Sequence, residues 1–227
     1  MHLPAMVFAI TSRRTSDKER REFLLDRYVF FIIIGFLSGS ILYSWLLPKI
    51  FCHVDVTKYS RDHNPGTANA MKYAGVGMGS VCLLCDVGKG FVPVFVAAQQ
   101  LERTGVLFSL LIAAPVAGHA FSPWKKGKGG KAIATAFGVL LALLPYSYVV
   151  LILAASYLFF SLVLVINPHR LRTIVSFFVL CAAAYLLKIN IFIVYACLLI
   201  SGIVIIKNLT PEENEAKQWR LLGRKLF

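Results

Sequence analysis

The sequence predicts an all-α integral membrane protein with about seven transmembrane helices, in which cytoplasmic loops form the functional site. Of its 227 residues, 58% are hydrophobic and only 15% are charged, and the mean hydropathy is +0.70. Long apolar runs alternate with short polar loops along most of the chain. The 17 Phe, 9 Tyr and 3 Trp residues suit the aromatic belts found at membrane interfaces. An ordinary water-soluble domain does not combine these features.

The apolar runs set the expected spans. A helix rises about 1.5 Å per residue, so roughly 20 apolar residues cross a bilayer core of about 30 Å. Residues 1–27 form a polar N-terminal tail, either a short surface helix or a frayed end. Residues 28–206 form the transmembrane domain, and residues 207–227 form a charged C-terminal tail that we expect to be helical. The seven expected spans are residues 28–51, 74–98, 105–121, 132–144, 147–166, 173–187 and 191–206.

The net charge of +13 indicates membrane topology, not a nucleic-acid-binding face, because most basic residues lie in short loops between spans. On one side of the predicted bundle the loops carry only Arg103 and Lys188. Under the positive-inside rule the other, more basic side and the C-terminus are cytoplasmic, and the N-terminus lies outside. The basic loop residues on the cytoplasmic side are Lys49, Lys58, Arg61, Lys72, Lys125, Lys126, Lys128, Lys131, Arg170 and Arg172.

The five cysteines do not form a secreted-domain disulfide framework, since four of them lie inside apolar runs. Cys82 and Cys85 form a C-x-x-C pattern within an expected span. We therefore expect no metal site and no redox function.

A glycine-rich basic loop is the strongest functional signal. Residues 118–138 contain one His, four Lys and five Gly between two apolar runs. Glycines let backbone amides approach an anion, lysines supply mobile positive charge, and a helix that begins at Ala132 would add its dipole. This pattern predicts a phosphate site at the membrane surface that includes Lys128, Gly129, Gly130 and Lys131. Alternatively, the lysines only anchor a cytoplasmic loop.

A second polar loop, residues 52–73, contains short hydrogen-bonding side chains followed by a lysine. Asn64, Gly66, Thr67, Asn69 and Lys72 are denser than an ordinary surface turn requires. We expect them to bind a polar ligand beside the basic loop.

The expected spans also contain polar and small residues. Asp86 and Lys89 are three residues apart, so they share a helix face and can neutralise each other. Intramembrane ionisable residues often mark functional sites, but such a pair can also brace the helix bundle. The small residues Ser38, Gly39 and Ser40 favour close packing against a neighbouring helix.

These motifs, in this order, resemble those of the membrane-integral glycerol-3-phosphate acyltransferases that use acyl phosphate, the PlsY family. Gly39-Ser40-Ile41 resembles its GSIP, and residues 64–69 resemble N-x-G-A-T-N. Residues 86–93 resemble D-x-x-K-G-x-x-P, and residues 118–131 resemble G-H-x-F followed by K-G-G-K. The resemblance extends from Gly39 to about Ile206.

The resemblance implies a multi-pass enzyme of phospholipid biosynthesis in the bacterial plasma membrane, without cofactor or metal. It would transfer a fatty acyl group from acyl phosphate to the 1-hydroxyl of glycerol 3-phosphate, giving lysophosphatidic acid. Its partners would be these two substrates and membrane lipid. His119 would act as a general base or only brace its loop, and Lys131 would be catalytic. The implied substrate- and phosphate-binding residues are Ser40, Asn64, Gly66, Thr67, Asn69, Lys72, Lys128, Gly129 and Gly130.

The chain departs from the family pattern at several positions. Asp62-His63 replaces a usual Ser-Gly and adds negative charge to a site meant for anions. Lys72 replaces a usual Arg and loses bidentate phosphate binding, and Ala132 replaces a usual Gly. From residue 207 onward, R-H-x-x-N-I and a later G-x-E have no counterpart. These departures favour a divergent member with an altered donor or acceptor, or a member without activity.

A small transporter or channel for an organic anion is the alternative from another functional class. The intramembrane ionisable pair and the Gly- and Pro-containing second span also occur in transporters. Convergence of Lys72, Lys128 and Lys131 at the cytoplasmic surface would favour acyl transfer, whereas a polar path through the bundle would favour transport.

Overall fold

The computed structural model describes residues 3–209, 218–221 and 224–225, with the side chains of residues 18–209. The described part of the chain is mainly helical. Its α-helices are Leu3–Ser40 (α1), Tyr43–Phe51 (α2), Val56–Tyr59 (α3), Thr67–Ala74 (α4), Val76–Gln100 (α5), Val106–Ala120 (α6), Ile133–Leu141 (α7), Val149–Leu158 (α8), His169–Leu186 (α9) and Ile191–Asn208 (α10). A 3₁₀ turn at Pro123–Lys125 and a π-helical turn at Phe159–Val163 complete the helical segments of this part.

In the described part of the chain, five helical segments are long and apolar enough to cross a membrane, so the expected count of seven is not confirmed. The first expected span is broken, because α1 ends at Ser40 and α2 begins at Tyr43. The expected span 132–144 contains only the 9 residues of α7, which rise about 14 Å. The five segments are Lys18–Ser40, Val76–Gln100, Val106–Lys125, His169–Leu186 and Ile191–Asn208.

The expected span 147–166 also differs from a single helix. It consists of α8, the π-helical turn and the start of a β-strand, Leu164–Asn167 (β1). The turn between α7 and α8 reaches the end of the bundle that holds the α5–α6 loop, because Arg103 Cζ lies 4.0 Å from the ring centroid of Tyr146. Hydropathy therefore located the apolar runs 132–144 and 147–166, but it did not indicate where the helices within them end.

The two tails differ from their expected structures. α1 begins at Leu3, so most of the polar N-terminal tail continues directly into the first span as helix. In the C-terminal tail, Gln218–Leu221 (β2) pairs antiparallel with β1, and Arg224–Lys225 (β3) pairs with β2. The expected surface helix is therefore wrong for these strand residues, whose backbone groups pair with β1 instead of within a helix. Residues 210–217 lie outside the described residues.

α6 is the central helix of the bundle. Two thirds of its span is buried, and its Phe108, Leu111 and Ile112 are almost completely inaccessible. The ends of α1 and α6 cross closely, as the small residues predicted. A Cβ atom on Gly39 would lie 2.0 Å from the Pro115 carbonyl oxygen, and one on Gly118 would lie 2.1 Å from the Phe36 carbonyl oxygen. Only glycine permits this approach of two backbones.

The chain order brings several helix ends to the same end of the bundle. α1 and α6 end there, and α5, α7 and α9 begin there, because these helices alternate in direction along the chain. The short helices α2, α3 and α4 lie between α1 and α5 and contact one another at this end. The two polar loops predicted from the sequence therefore face each other.

Candidate functional site

A cavity of about 730 Å³ lies between these two loops. Its polar wall contains the basic side chains Arg61, Lys72 and Lys131. Its apolar wall includes Leu83 of α5 and Phe137 of α7. The cavity is thus amphipathic, with a positively charged wall at the loops and an apolar wall toward the helices.

Three helices present their N-terminal ends to this cavity. Gly66–Ala68 at the start of α4, Ala132–Ala134 at the start of α7 and His169 at the start of α9 all line it. Neither α4 nor α7 has a side-chain hydrogen bond at its N-cap. Helix N-termini carry partial positive charge and unpaired amide groups, so their convergence favours an anion. The helix start predicted at Ala132 is confirmed within one residue, since α7 begins at Ile133.

Asp62 organises the polar wall of the cavity. Its Oδ2 accepts a hydrogen bond from Lys131 Nζ at 2.8 Å, and its Oδ1 accepts one from Asn69 Nδ2 at 2.9 Å. The backbone amide of Lys131 also donates to Asn64 Oδ1 at 3.2 Å. Burial by itself would raise the pKa of Asp62, but the hydrogen bonds from Lys131 and Asn69 lower it below its ordinary value. Asp62 is therefore an ionised carboxylate held against the lysine predicted to bind phosphate.

A buried polar cluster adjoins the cavity, and two of its members, Asp86 and His119, line it. Lys89 Nζ lies 2.7 Å from Asp86 Oδ1, and these two side chains are 2% and 1% exposed. Lys89 Nζ also lies 2.7 Å from His119 Nδ1 and donates to the Ile41 carbonyl oxygen. The pairing of Asp86 with Lys89 predicted from their spacing is present. Through its contacts with His119 and Ile41, Lys89 links α5 to the end of α6 and to the break between α1 and α2.

This cluster determines the protonation of His119. An ammonium group is only a donor, so Lys89 donates to His119 Nδ1, and the neutral ring carries its proton on Nε2. On the Nε2 side, Gly130 packs so closely that a Cβ atom there would lie 2.3 Å from Nε2. The imidazole is buried, and neither nitrogen is available to accept a proton. The geometry therefore favours the role of His119 as a brace for its loop over that of a general base.

Five predicted site residues do not line the cavity: Ser40, Lys89, Lys128, Gly129 and Gly130. Lys128 is exposed. The amides of Gly129 and Gly130 donate to the carbonyl oxygens of Ala120 and His119 at 3.2 and 3.1 Å. The two glycines thus let the basic loop pack on the end of α6, and their amides pair within the chain.

Ser40 also serves the structure at this end of the bundle. It is completely buried, its Oγ donates to the Leu37 carbonyl oxygen at 2.7 Å, and it accepts from Trp124 Nε1 at 2.9 Å. Its own carbonyl oxygen accepts from Ser122 Oγ at 2.7 Å. These bonds attach the end of α1 to the start of the basic loop.

Several cavity residues were not predicted as site residues. Arg61 was predicted only as a topology signal, and His169, which lies between the expected spans 147–166 and 173–187, was not singled out. Tyr73, Phe137 and Tyr157 also line the cavity. The signal for Arg61 and His169 was available, because both belong to polar loops assigned to the same side as the two motif loops.

The sequence is similar to those of known proteins. Residues 29–213 match the family model described as glycerol-3-phosphate acyltransferase. A glycerol-3-phosphate acyltransferase of Maridesulfovibrio salexigens is 38% identical over 118 residues, which is 52% of this chain and 60% of that protein. Glycerol-3-phosphate acyltransferase 2 of Thermotoga maritima is 34% identical over 158 residues, which is 70% of this chain and 78% of that protein. The aligned segment thus spans less than two thirds of the Maridesulfovibrio protein.

Two solved structures share the fold. They are crystal structures of PlsY (YgiH), an integral membrane glycerol 3-phosphate acyltransferase, in its glycerol 3-phosphate form and its lysophosphatidic acid form. The TM-scores are 0.70 and 0.68, each at 24% identity, with 79% and 80% of this chain covered and 87% and 88% of the other chain. The apolar helices and this likeness establish a multi-pass membrane protein. With its family match across residues 29–213, the chain belongs to the glycerol-3-phosphate acyltransferase family.

Proposed function

We propose that this protein transfers a fatty acyl group from acyl phosphate to the 1-hydroxyl of glycerol 3-phosphate, giving lysophosphatidic acid and phosphate. One observation carries the proposal: three helix N-termini and three basic side chains converge on a cavity with an apolar wall. Both substrates are phosphate anions, and one of them carries a long apolar chain. Family membership and the names of the relatives support the same activity.

Phosphate groups bind at the polar wall. Lys131 and Arg61 provide positive charge, and the N-termini of α4 and α7 provide backbone donors. Lys72 is exposed at the cavity, with its Nζ 5.0 Å from the ring centroid of Tyr73. This position suits a first contact with an anion that enters from water.

The acyl chain lies along the apolar wall. Leu83, Ile133 and Phe137 extend the cavity between α5 and α7. These helices are part of the membrane-embedded bundle, so an acyl chain can reach the site from the lipid without crossing the polar loops. The carbonyl carbon is then held between the apolar wall and the phosphate groups.

The reaction requires orientation more than activation, because acyl phosphate is already an activated acyl donor. The 1-hydroxyl oxygen attacks the carbonyl carbon, the bond between that carbon and the phosphate oxygen breaks, and both electrons leave with phosphate. The hydroxyl proton passes to a phosphate oxygen. Lys131 and the helix N-termini stabilise the negative charge that develops on the leaving group. His119, held by Lys89, packs against Gly130 of the basic loop and takes no proton.

The site faces the cytoplasm of a bacterial cell in this proposal. The loops at the cavity end carry most of the basic residues, whereas Arg103 and Lys188 lie at the other end. Phosphorylated metabolites are cytoplasmic, so this orientation gives the cavity access to its soluble substrate.

Transport of an organic anion is the alternative function from which acyl transfer must be distinguished. Lys72 and Lys131 share one cavity at one end of the bundle, and Lys128 lies outside it. The buried apolar side chains of α6 lie in the middle of the bundle. This arrangement favours a surface site over a path across the membrane.

The decisive measurement is acyl transfer by the purified protein in detergent, with palmitoyl phosphate and labelled glycerol 3-phosphate. We expect labelled lysophosphatidic acid from the wild type and a loss of at least about 100-fold in the Lys131→Ala variant. Lys128→Ala, a change of the same residue type in the same loop, is the matched control, with activity expected within about twofold of wild type.

Absence of product from the folded wild-type protein would overturn the proposal. Uptake of labelled glycerol 3-phosphate by proteoliposomes, without acyl transfer, would establish the transport alternative. Equal losses in the two lysine variants would contradict the assignment of phosphate binding to the cavity.

A further inference from the structure

Thr67 is the cavity end of a chain of buried hydrogen bonds. Its Oγ1 lies 3.1 Å from Ser44 Oγ, and Ser44 Oγ lies 2.5 Å from Asp86 Oδ2. Asp86 Oδ1 in turn lies 2.7 Å from Lys89 Nζ. Ser44 is completely buried, whereas Thr67 is partly exposed and lines the cavity. Asp86, which also lines the cavity, is therefore hydrogen-bonded to Thr67 through the hydroxyl group of Ser44.

The direction of each hydrogen bond follows from the number of hydrogens available. Asp86 forms an ion pair with Lys89, and a carboxylate only accepts, so the single hydroxyl hydrogen of Ser44 is donated to Asp86. The oxygen of Ser44 can then only accept from Thr67. The hydrogen of Thr67 is committed to Ser44, and its oxygen retains only acceptor capacity toward the cavity.

Because the Thr67 hydroxyl group can only accept a hydrogen bond from a ligand in the cavity, it is not suited to hold phosphate. Phosphate oxygens are acceptors, and an acceptor placed against another acceptor repels it. A group that donates a hydrogen bond is the only complementary partner for Thr67 Oγ1. In glycerol 3-phosphate, the donors are its two hydroxyl groups.

We propose that Thr67 is a specificity-determining residue that accepts a hydrogen bond from the 2-hydroxyl of the acceptor substrate. This inference rests on the proposed function. In that reaction the hydrogen of the 1-hydroxyl passes to a phosphate oxygen, so the 2-hydroxyl is the donor that remains. Thr67 therefore recognises the glycerol backbone, whereas Lys131 and the helix N-termini recognise the phosphate.

The test is direct binding in detergent, measured by isothermal titration calorimetry with three probes. These are glycerol 3-phosphate, 3-hydroxypropyl phosphate, which lacks the 2-hydroxyl, and inorganic phosphate. The wild type is expected to prefer glycerol 3-phosphate to 3-hydroxypropyl phosphate by about tenfold, the effect of one well-placed hydrogen bond. Thr67→Val, which keeps the shape and removes the oxygen, is expected to abolish this preference without changing the affinity for inorganic phosphate.

Three further variants separate a specific role from a structural one. Thr67→Ser keeps the hydroxyl and is expected to keep the preference. Ser44→Ala releases the hydrogen of Thr67, so inorganic phosphate is expected to bind more tightly while the preference falls. Thr104→Val, an exposed threonine at the opposite end of the bundle, is the control and is expected to bind all three probes like the wild type.

Two results would overturn the inference: a preference that persists in Thr67→Val, or an equal loss of affinity for inorganic phosphate in that variant. The binding measurement does not require acyl transfer, so it fails independently of the proposed function. Turnover of palmitoyl phosphate by the wild type, without the preference, would reject the role of Thr67 alone. The expected preference without turnover would reject the acyltransferase activity and retain the binding role.

Discussion

At the scale of single residues, Asp62 distinguishes this site from a simple cationic pocket. Its carboxylate occupies the hydrogen-bonding groups of Lys131 and Asn69, which were both predicted to bind substrate. A phosphate ligand would therefore compete with an anion that belongs to the protein. The negative charge was visible in the sequence, but its partner was not, because Lys131 is 69 residues away.

Removal of this charge is expected to tighten anion binding. In Asp62→Asn, the ion pair between Lys131 and residue 62 is lost, so the affinity for inorganic phosphate should rise by roughly tenfold, about 1.4 kcal/mol. Titration calorimetry in detergent measures the effect. Asp55→Asn, which changes an acidic residue at the same end that does not line the cavity, should leave the affinity unchanged. Equal or weaker binding by Asp62→Asn would show that Asp62 does not compete with the ligand.

Asp62 also predicts a pH dependence of stability. Because hydrogen bonds lower the pKa of the folded Asp62 below its ordinary value of 3.8, the native state binds fewer protons than the unfolded state near that pH. The resulting stabilisation is complete above the unfolded pKa and is lost as the pH falls through the folded pKa.

Thermal unfolding of the wild type and Asp62→Asn from pH 3 to pH 7 tests this expectation. The wild type should unfold at a higher temperature than Asp62→Asn near neutral pH, and this difference should disappear only below about pH 4. A difference between the two proteins that does not change across this range would contradict the role of ionised Asp62.

The sequence predicted that the basic loop lies at the site, but not which of its lysines line the cavity. Lys128 and Lys131 had equal status in the sequence, but Lys131 lines the cavity and Lys128 does not. Tertiary contacts distinguish them, since Lys131 is held at the cavity by Asp62 and Asn64, which lie 69 and 67 residues earlier in the chain. Motif spacing contains no information about such contacts, so it predicted the loop and not the position of each side chain.

At the scale of helices, the crossing of α1 and α6 depends on glycine. An added methyl group at Gly39 or Gly118 would collide with a backbone carbonyl group, which cannot move aside as a side chain can. Gly39→Ala and Gly118→Ala are each expected to lower the free energy of unfolding by about 1–3 kcal/mol. Chemical denaturation in detergent measures this change.

Gly88 of α5 is the matched control, because an added Cβ atom there would have open space within 4 Å. Gly88→Ala should stabilise the protein slightly, by up to about 1 kcal/mol, since alanine favours the helix. Equal stability of all three alanine variants would contradict the close crossing.

Helix prediction succeeded where apolar length alone decides the outcome and failed near the site. The expected spans at 74–98, 105–121 and 191–206 correspond closely to α5, α6 and α10. The break between α1 and α2, by contrast, is stabilised by contacts from distant segments, such as the hydrogen bond from Lys89 to the Ile41 carbonyl oxygen. β1 likewise pairs with β2, which begins more than 50 residues later in the chain. Such tertiary partners leave no trace in local hydropathy.

At the scale of the whole molecule, the two ends of the bundle differ in charge, which predicts its orientation in the membrane. Lys126 lies in the basic loop at the cavity end, and Lys188 lies in the α9–α10 loop at the other end. Both are exposed, and both have a φ of 53°. They are therefore a matched pair for single-cysteine labelling, in a background in which the five native cysteines are replaced.

A membrane-impermeant maleimide added to intact spheroplasts should label the Lys188→Cys variant and not the Lys126→Cys variant. Inside-out vesicles should give the opposite pattern, because the positive-inside rule places the basic loops in the cytoplasm. Labelling of Lys126→Cys in spheroplasts would reverse the proposed topology.

The bond between Asp62 and Lys131 has a consequence for the electrostatics of the whole protein. An ammonium group beside the apolar part of the bundle would ordinarily lose its counter-ion whenever a bound phosphate group left, in surroundings that solvate charge poorly. Here Lys131 has a carboxylate partner when the site is empty and can take a phosphate partner when it is filled. When the anion binds or leaves, Lys131 exchanges one negatively charged partner for the other, so its ammonium group is never without a counter-ion.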